Sequence, residues 1–468
     1  MYQSRGFYIT TPENRVLVSV VGVLVLVVGY YLDWPGSRQK DMPPVGFVVC
    51  LPRGSQPDLS FRIRELNRKY GPLASLKIGS SNVIIIGGDG KLVRELLDKR
   101  GSIYSNRPAE PTLQIAGGGD HLLFQQDTEK WRAARKQIVR HYPRASDPEQ
   151  VRLQEAESVQ LLYDFLHDPE RHIKHSMRYT TSIIACLNYG VRCATYDDPV
   201  IHGIESIMTR ISRPLVEHFP FLWILPDFMT GNWKAKALHL KQLMLKIYGG
   251  LAEIGSERGK SGLNTDNFAY KLRLDENVTN LTRNHQAQIC GIALEGVAGV
   301  ISTAILALLE DTTSQDRARQ EIDGIYDEYT LPRWADEERM PFVRAIVRET
   351  LRWRPPLPSC VSHRLEQDDT YAGYFLPKDS TGRRSCPGVQ LAEQGIFIAI
   401  CRLLWAFEFS VPLGTTVNTD QSAFHGSIRR PKQYPVVITP RSERRVETIE
   451  REMLSAKESV FSLYGSYK

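Results

Sequence analysis

The sequence predicts a mainly α-helical chain carried on an N-terminal transmembrane helix, and three patterns predict it. Between residues 153 and 281 apolar side chains recur at intervals of three and four, with breaks at Pro214, Pro220 and Pro226, the spacing of helices that bury one face. Further on, residues 290–309 form a long apolar run. Pro341 to Arg352 is amphipathic, with Phe342, Ala345, Ile346 and Glu349 on one side, and stops before Pro355-Pro356; residues 391–407 are apolar again. The third pattern is the uncharged, Val/Leu-rich run at residues 16–32, at the short end of the roughly 17–25 residues that span a bilayer.

The N-terminal run is an anchor rather than a cleaved signal. A signal peptide has an apolar region of only about 7–15 residues ending in small side chains, whereas Gly29-Tyr-Tyr-Leu-Asp-Trp34 is bulky. Tyr30, Tyr31 and Trp34 suit an interfacial aromatic belt. The expected division is an anchor at residues 1–34 and one large domain at residues 35–468, since no linker-like or repetitive segment interrupts the rest.

Composition excludes several classes. Net charge is +6, from 59 basic and 53 acidic residues mixed through the chain, with no Lys/Arg-rich run and interleaved aromatics to bind nucleic acid. The seven cysteines are scattered, odd in number and never in a CxxC pair, which speaks against a zinc site or a secreted disulfide framework. Gly117-Gly-Gly119 is not a dinucleotide-binding fingerprint.

The most informative stretch is Thr381-Gly-Arg-Arg-Ser-Cys-Pro-Gly388, which runs into the apolar helix at residues 391–407. A thiolate on Cys386 would feel Arg384, a helix N-terminus and the N–H groups of a Gly/Pro turn, all of which favour the anionic sulfur. Thiolate ligation of haem iron favours O–O cleavage. A buried structural cysteine at a helix start is the ordinary alternative.

This loop resembles the cysteine-ligand loop of the cytochrome P-450 haem-thiolate monooxygenases, Phe-x-x-Gly-x-Arg-x-Cys-x-Gly: Gly382, Arg384, Cys386 and Gly388 match, and Asp379 stands at the Phe. Glu349 and Arg352, ahead of Trp353-Arg-Pro-Pro-Leu-Pro358, resemble the family's Glu-x-x-Arg helix, a buried ion pair that braces the haem-binding core. Trp131 and Arg135 resemble its Trp-x-x-x-Arg helix. Tyr70 to Gly79, Val83 to Ile86, and the stretch around His363 and Tyr371 to Lys378 resemble its small sheets, and the likeness covers nearly everything from Asp41 to Arg441.

The resemblance implies a mainly α fold with small β-sheets and a haem b (iron protoporphyrin IX) site. Cys386 would be the axial ligand, Gly388 would belong to its loop, and Trp131, Arg135, His363 and Arg384 would hold the propionates. Arg132, Lys136 and Arg140 share another face of their helix, the surface that in this family receives the reductase. NADPH would therefore act indirectly, through an NADPH-cytochrome reductase. A small hydrophobic substrate would be oxidised, in the manner of fungal secondary metabolism. His218, Phe219, Phe221, Leu222 and Trp223 could line its access route or form an ordinary aromatic cluster. The chain would be a single-pass protein of the endoplasmic reticulum membrane with its catalytic domain in the cytosol.

Two departures accompany the likeness. The family's proton-relay pattern, Ala/Gly-Gly-x-Asp/Glu-Thr-Thr/Ser, meets Leu294-Glu-Gly-Val-Ala-Gly-Val-Ile-Ser-Thr303 here. One register aligns Ser302 and Thr303 and leaves Ile301 at the acid; another puts Glu295 at the acid and Gly296 at the threonine. The second departure is a gap. Lys378 and Cys386 are eight positions apart, where the family has several dozen residues, including an Arg that joins the Glu-x-x-Arg pair. The chain is read as internally truncated, by a skipped exon or a faulty gene model. Either it is an active monooxygenase, or it is a weakly active or non-catalytic remnant.

Overall fold

A computed structural model describes residues 22, 24, 40–46, 59–78, 81–87, 89–126, 129–211, 214–275, 281–292, 298–358, 361–380, 389–426 and 428–467. Two compact units are distinguished. The first comprises Met1–Thr112, Arg213–Ala235 and Ser362–Arg384; the second comprises Leu113–Ser212, Lys236–Val361 and Ser385–Lys468. Of the expected anchor only Gly22 and Leu24 are described, both helical, with Leu24 exposed; the rest lies outside the described residues.

The first unit is built on a three-stranded sheet. Strand β1 (Val45–Gly46) runs parallel to β2 (Leu73–Ile78), which pairs antiparallel with β3 (Ser81–Ile86), Leu73 facing Ile86. Helix α1 (Leu59–Tyr70) lays Ile63, Leu66 and Tyr70 on Ala74, Leu76 and Ile85. A second sheet is the hairpin of β4 (Asp369–Tyr371) and β5 (Tyr374–Leu376). Its turn, Ala372-Gly373, has φ of 51° and 81°, both left-handed as a two-residue type I′ turn requires. Arg100 ties the hairpin down through Asp369 at 2.8 Å.

The hairpin's exit differs from the sequence expectation. In sequence Asp379 stands at the Phe of the cysteine-loop pattern. In the structure the Asp379 N–H donates to Leu365 O at 2.8 Å and the Leu365 N–H donates to Ser380 O at 2.5 Å, while Asp368 accepts from the Lys378 N–H at 2.7 Å. Asp379 takes a left-handed φ of 68° to make this turn. These residues close the hairpin and leave still fewer to reach Cys386.

The second unit is helical: α2 (Glu129–His141), α3 (Pro148–His167), α4 (His172–Tyr189), α5 (Pro199–Arg210), α6 (Gly250–Lys260), α7 (Phe268–Leu274), α8 (Arg283–Gly291), α9 (Ala298–Glu310), α10 (Thr312–Asp323), α11 (Pro341–Trp353), α12 (Val389–Ala406) and α13 (Glu443–Ser459). Two-stranded pairs join β6 (Phe407–Ser410) to β9 (Val437–Pro440) and β7 (Phe424–His425) to β8 (Arg430–Pro431). Start signals are explicit: Asp147, Asp198, Thr282 and Asp311 each accept from a first-turn N–H, satisfying donors the helix cannot.

Helix α12 lies among α3, α10 and α11. It is long and apolar enough to cross a membrane, yet 78% of it is buried inside the protein; a helix apolar all round needs cover on every side, and here the protein supplies it. Helix α11 corrects the expected stripe. Val343, Val347 and Thr350 are its buried positions, whereas Phe342 and Ile346 are partly buried and Ala345 and Glu349 are exposed.

Candidate functional site

The residues predicted to make a site fall in both units. Arg384, Cys386, Gly388 and Glu295 lie outside the described residues. Helix α12 begins at Val389, three positions after Cys386. Its first turns are held by polar side chains of α3 and α4: Gln154 donates to Leu391 O at 3.3 Å, Gln150 to Gln394 Oε1 at 3.1 Å and Tyr179 to Gly395 O at 2.9 Å. The cysteine loop thus runs into a helix whose start is fixed by buried hydrogen bonds.

On α2, Trp131 and Arg135 are one turn apart and partly buried, with the guanidinium 5.4 Å from the indole ring centroid. Arg132, Lys136 and Arg140 are exposed, forming the charged face expected from their spacing. In the first unit His363 is buried and its Nε2 is 3.0 Å from Arg107 Nη1. Sequence reasoning gave Arg107 no role; its only signal was a charged residue between Asn106 and Pro108.

Ser302 and Thr303 are buried on α9. The Thr303 hydroxyl donates to Gly299 O at 2.6 Å, a back-bond within its own helix, and the Ser302 carbonyl accepts from the Tyr434 hydroxyl at 2.8 Å. Ile301, which stands at the acid in one register, is buried in the core. Gly299 is required by packing: a Cβ there would sit 2.7 Å from Arg429 O and 3.0 Å from Arg430 Cβ.

Glu349 and Arg352 do pair, Arg352 Nε donating to Glu349 Oε2 at 2.7 Å. The expected burial is overturned, because their side chains are 61% and 71% exposed. The pair occupies the face of α11 opposite Val343 and Val347, and no described residue covers it with a third charge. Arg352's hydrogen bond lowers the Glu349 pKa and raises its own. In the aromatic stretch Trp223 donates to Val216 O at 2.7 Å and is partly exposed, as are its more exposed neighbours Ile224 and Phe228; the side chain of Phe221 lies outside the described residues.

Comparison with known proteins places these features in one family. The cytochrome P-450 profile matches residues 40–381 and 380–438, two stretches that meet at Ser380-Thr381. The chain is 30% identical to the cytochrome P-450 monooxygenase acuD of Aspergillus aculeatus, covering 94% of this chain and 96% of that one. It is 32% identical to patI of Aspergillus clavatus, over 96% and 97%, and 31% identical to macC of Penicillium terrestre, over 98% and 99%. These alignments run over 515, 522 and 543 positions, more than the 468 residues of this chain. A zebrafish cytochrome P-450 solved with abiraterone shares the fold, with a TM-score of 0.67, 21% identity and coverage of 82% of this chain and 99% of that one. With its cysteine loop, its Trp131/Arg135 helix and two matches that together span most of its length, the chain belongs to the cytochrome P-450 family of haem-dependent monooxygenases.

Proposed function

We propose that this chain binds haem b through Cys386 and inserts one oxygen atom from O2 into a small hydrophobic organic substrate of fungal secondary metabolism. The observation that carries the reading is the Gly382–Gly388 cysteine loop, heading a buried helix in a chain that matches the family on both sides of it. The donor chemistry fits the group: Arg135 beside Trp131, and His363 beside Arg107, offer N–H donors of the kind that pair with carboxylates. Trp131, Arg135, His363 and Arg384 would hold the propionates, and Gly388 would belong to the cysteine loop. When bound, haem supplies the oxygen-activating iron, tuned by its thiolate donor.

The remaining roles fall to the chain itself. The Thr303 hydroxyl donates to Gly299 O, so its proton would be available to the reacting centre only if that bond broke; Ser302 Oγ is buried with no partner among the described residues, and Glu295 would supply the acid. Electrons come from NADPH through a separate NADPH-cytochrome reductase docked on the Arg132, Lys136 and Arg140 face. Residues 1–34 anchor the protein in the endoplasmic reticulum membrane, with residues 35–468 as the cytosolic monooxygenase domain.

Two observations favour a weaker second reading for this chain. The family match breaks at residues 380–381, and the Glu349–Arg352 pair that should brace the core is exposed. Turnover is therefore expected to be weak and poorly coupled. The test is reductase-driven NADPH and O2 consumption with extracts of hydrophobic metabolites. Oxygenated product with much of the NADPH unaccounted for is expected. No NADPH oxidation above that of the reductase alone, in protein shown to retain haem, would remove the monooxygenase reading.

A further inference from the structure

Arg107 is a buried cation of the first unit that stands against His363. Its Nη1 donates to Ser362 O at 2.7 Å and lies 3.0 Å from His363 Nε2. Both side chains are nearly sealed from water, with 5% and 2% of their surface exposed. We propose that Arg107 is a positioning residue that locks His363 as the neutral Nδ1–H tautomer; the consequence for haem retention rests on the reading of His363 as a propionate contact.

A guanidinium has N–H donors and no acceptor. The contact is therefore a hydrogen bond only if His363 Nε2 is the acceptor, which leaves the ring proton on Nδ1. A doubly protonated ring would set N–H against N–H and place two cations together in a buried site. The backbone enforces the alignment from both sides. Arg107 N donates to Asn106 Oδ1 at 2.8 Å, Asn106 Nδ2 donates to Glu366 Oε1 at 2.6 Å, and Arg364 N donates to Asn106 O at 2.8 Å. Asn106 thus clasps the segment after His363 while Arg107 holds the segment at Ser362, and the imidazole is fixed between them. The ring then turns an N–H toward an incoming carboxylate, polarised by the charge behind it. In the other tautomer it would turn a lone pair toward that carboxylate and repel it.

The test uses the full-length protein in detergent, labelled with 15N-histidine, at neutral pH. Solid-state 15N spectra distinguish protonated from bare ring nitrogens, and His363 is assigned as the signal lost in His363→Asn. Expected is a bare Nε2 and a protonated Nδ1 in wild type and in Arg107→Lys, which keeps a donor. Arg107→Met should move the proton to Nε2 or protonate the ring, and haemin transfer to apomyoglobin should become roughly tenfold faster, the usual scale for removing an orienting partner. Nε2–H in the wild type overturns the proposal whether or not Arg107→Met folds, and so does an unchanged tautomer in a folded Arg107→Met. If the tautomer follows Arg107 but haemin release is unaltered in both Arg107→Met and His363→Asn, the positioning role stands and the propionate reading of His363 falls.

Discussion

Two glutamate–arginine ion pairs, one between neighbours in sequence and one between distant residues, behave oppositely in this chain. Glu157 on α3 accepts from Arg178 Nη1 at 2.6 Å and from Arg192 Nε at 2.7 Å, with Ser182 adding a third bond at 2.9 Å, and both Glu157 and Arg178 are buried. Burial raises the carboxyl's pKa, but the charges of Arg178 and Arg192 outweigh it and hold the group below its ordinary range. A lowered carboxyl pKa means stability present above the unfolded value and lost as pH falls through the folded one. Glu157→Gln removes the charge that the two guanidinium groups share, leaving Arg178 with Asp164 and Arg192 with Gln160, and should cost about 1–3 kcal/mol, read as a fall in the denaturant midpoint; a midpoint near wild type would show that the network contributes little. Arg352→Ala, on the exposed pair, should leave that midpoint within error. Sequence reasoning recognised the motif of Glu349 and Arg352 but not its burial, because burial is set by what packs on the helix. It missed Glu157 and Arg107, whose partners are distant in sequence.

Helices α9 and α8 show how much of an element local pattern conveys. The apolar run at residues 290–309 announced α9, but its closest constraint is non-local: β8 passes so near Gly299 that a methyl group would meet Arg429 O. An exposed helical Gly→Ala gains up to about 1 kcal/mol. Here the added carbon must push backbone aside, so Gly299→Ala should instead destabilise by about 1–3 kcal/mol; chemical denaturation gives the sign, and a gain would contradict the packing. In α8, His285 is fully buried, with neither ring nitrogen hydrogen-bonded among the described residues and Asp120 Oδ1 4.0 Å from Nδ1. Burial pushes its pKa down to about 4 from 6.5, partly opposed by Asp120, which Lys130, Thr282 and Asn284 also hold. Between those values the unfolded chain takes up a proton that the folded chain does not, so stability falls as pH drops from about 6.5 toward 4. His285→Leu should flatten the decline of melting temperature between pH 7 and pH 5, leaving the share of His172, which is similarly lowered to about 4. An unchanged slope would count against His285 as its source.

At the scale of the whole molecule, the helical class and the order of its elements were legible because amphipathic spacing, caps and prolines act locally. The resemblance to the family's cysteine loop is carried by contiguous residues, which lie outside the described ones. The division into two compact units was not, since it interleaves three stretches of chain in each. The short path from the β4–β5 hairpin to Cys386 has the largest consequence. Asp379 and Ser380 are spent closing the hairpin, which leaves residues 381–385 to reach the cysteine. Inserting a family-like segment between Ser380 and Thr381 should therefore raise haem retention and coupled turnover together, because catalytic groups need placement to about 0.5 Å. Equal, tightly coupled turnover with and without the insertion would show that the short path is functional. A chain starting at Pro43 should leave the membrane fraction while the full chain stays; a full chain soluble without detergent would contradict the anchor.

The claim on which the rest depends is that Cys386 is the haem ligand of this chain as it stands. The most direct measurement is the absorption spectrum of the reduced carbon monoxide complex, recorded on the full-length protein and on Cys386→His. Wild type should show the red-shifted Soret band of a thiolate ligand and Cys386→His should lose it, with whatever haem remains giving the band of a nitrogen ligand. A spectrum identical in the two proteins, or a wild type that takes up no haem when supplied with it, would rule out Cys386 as the haem ligand of this chain.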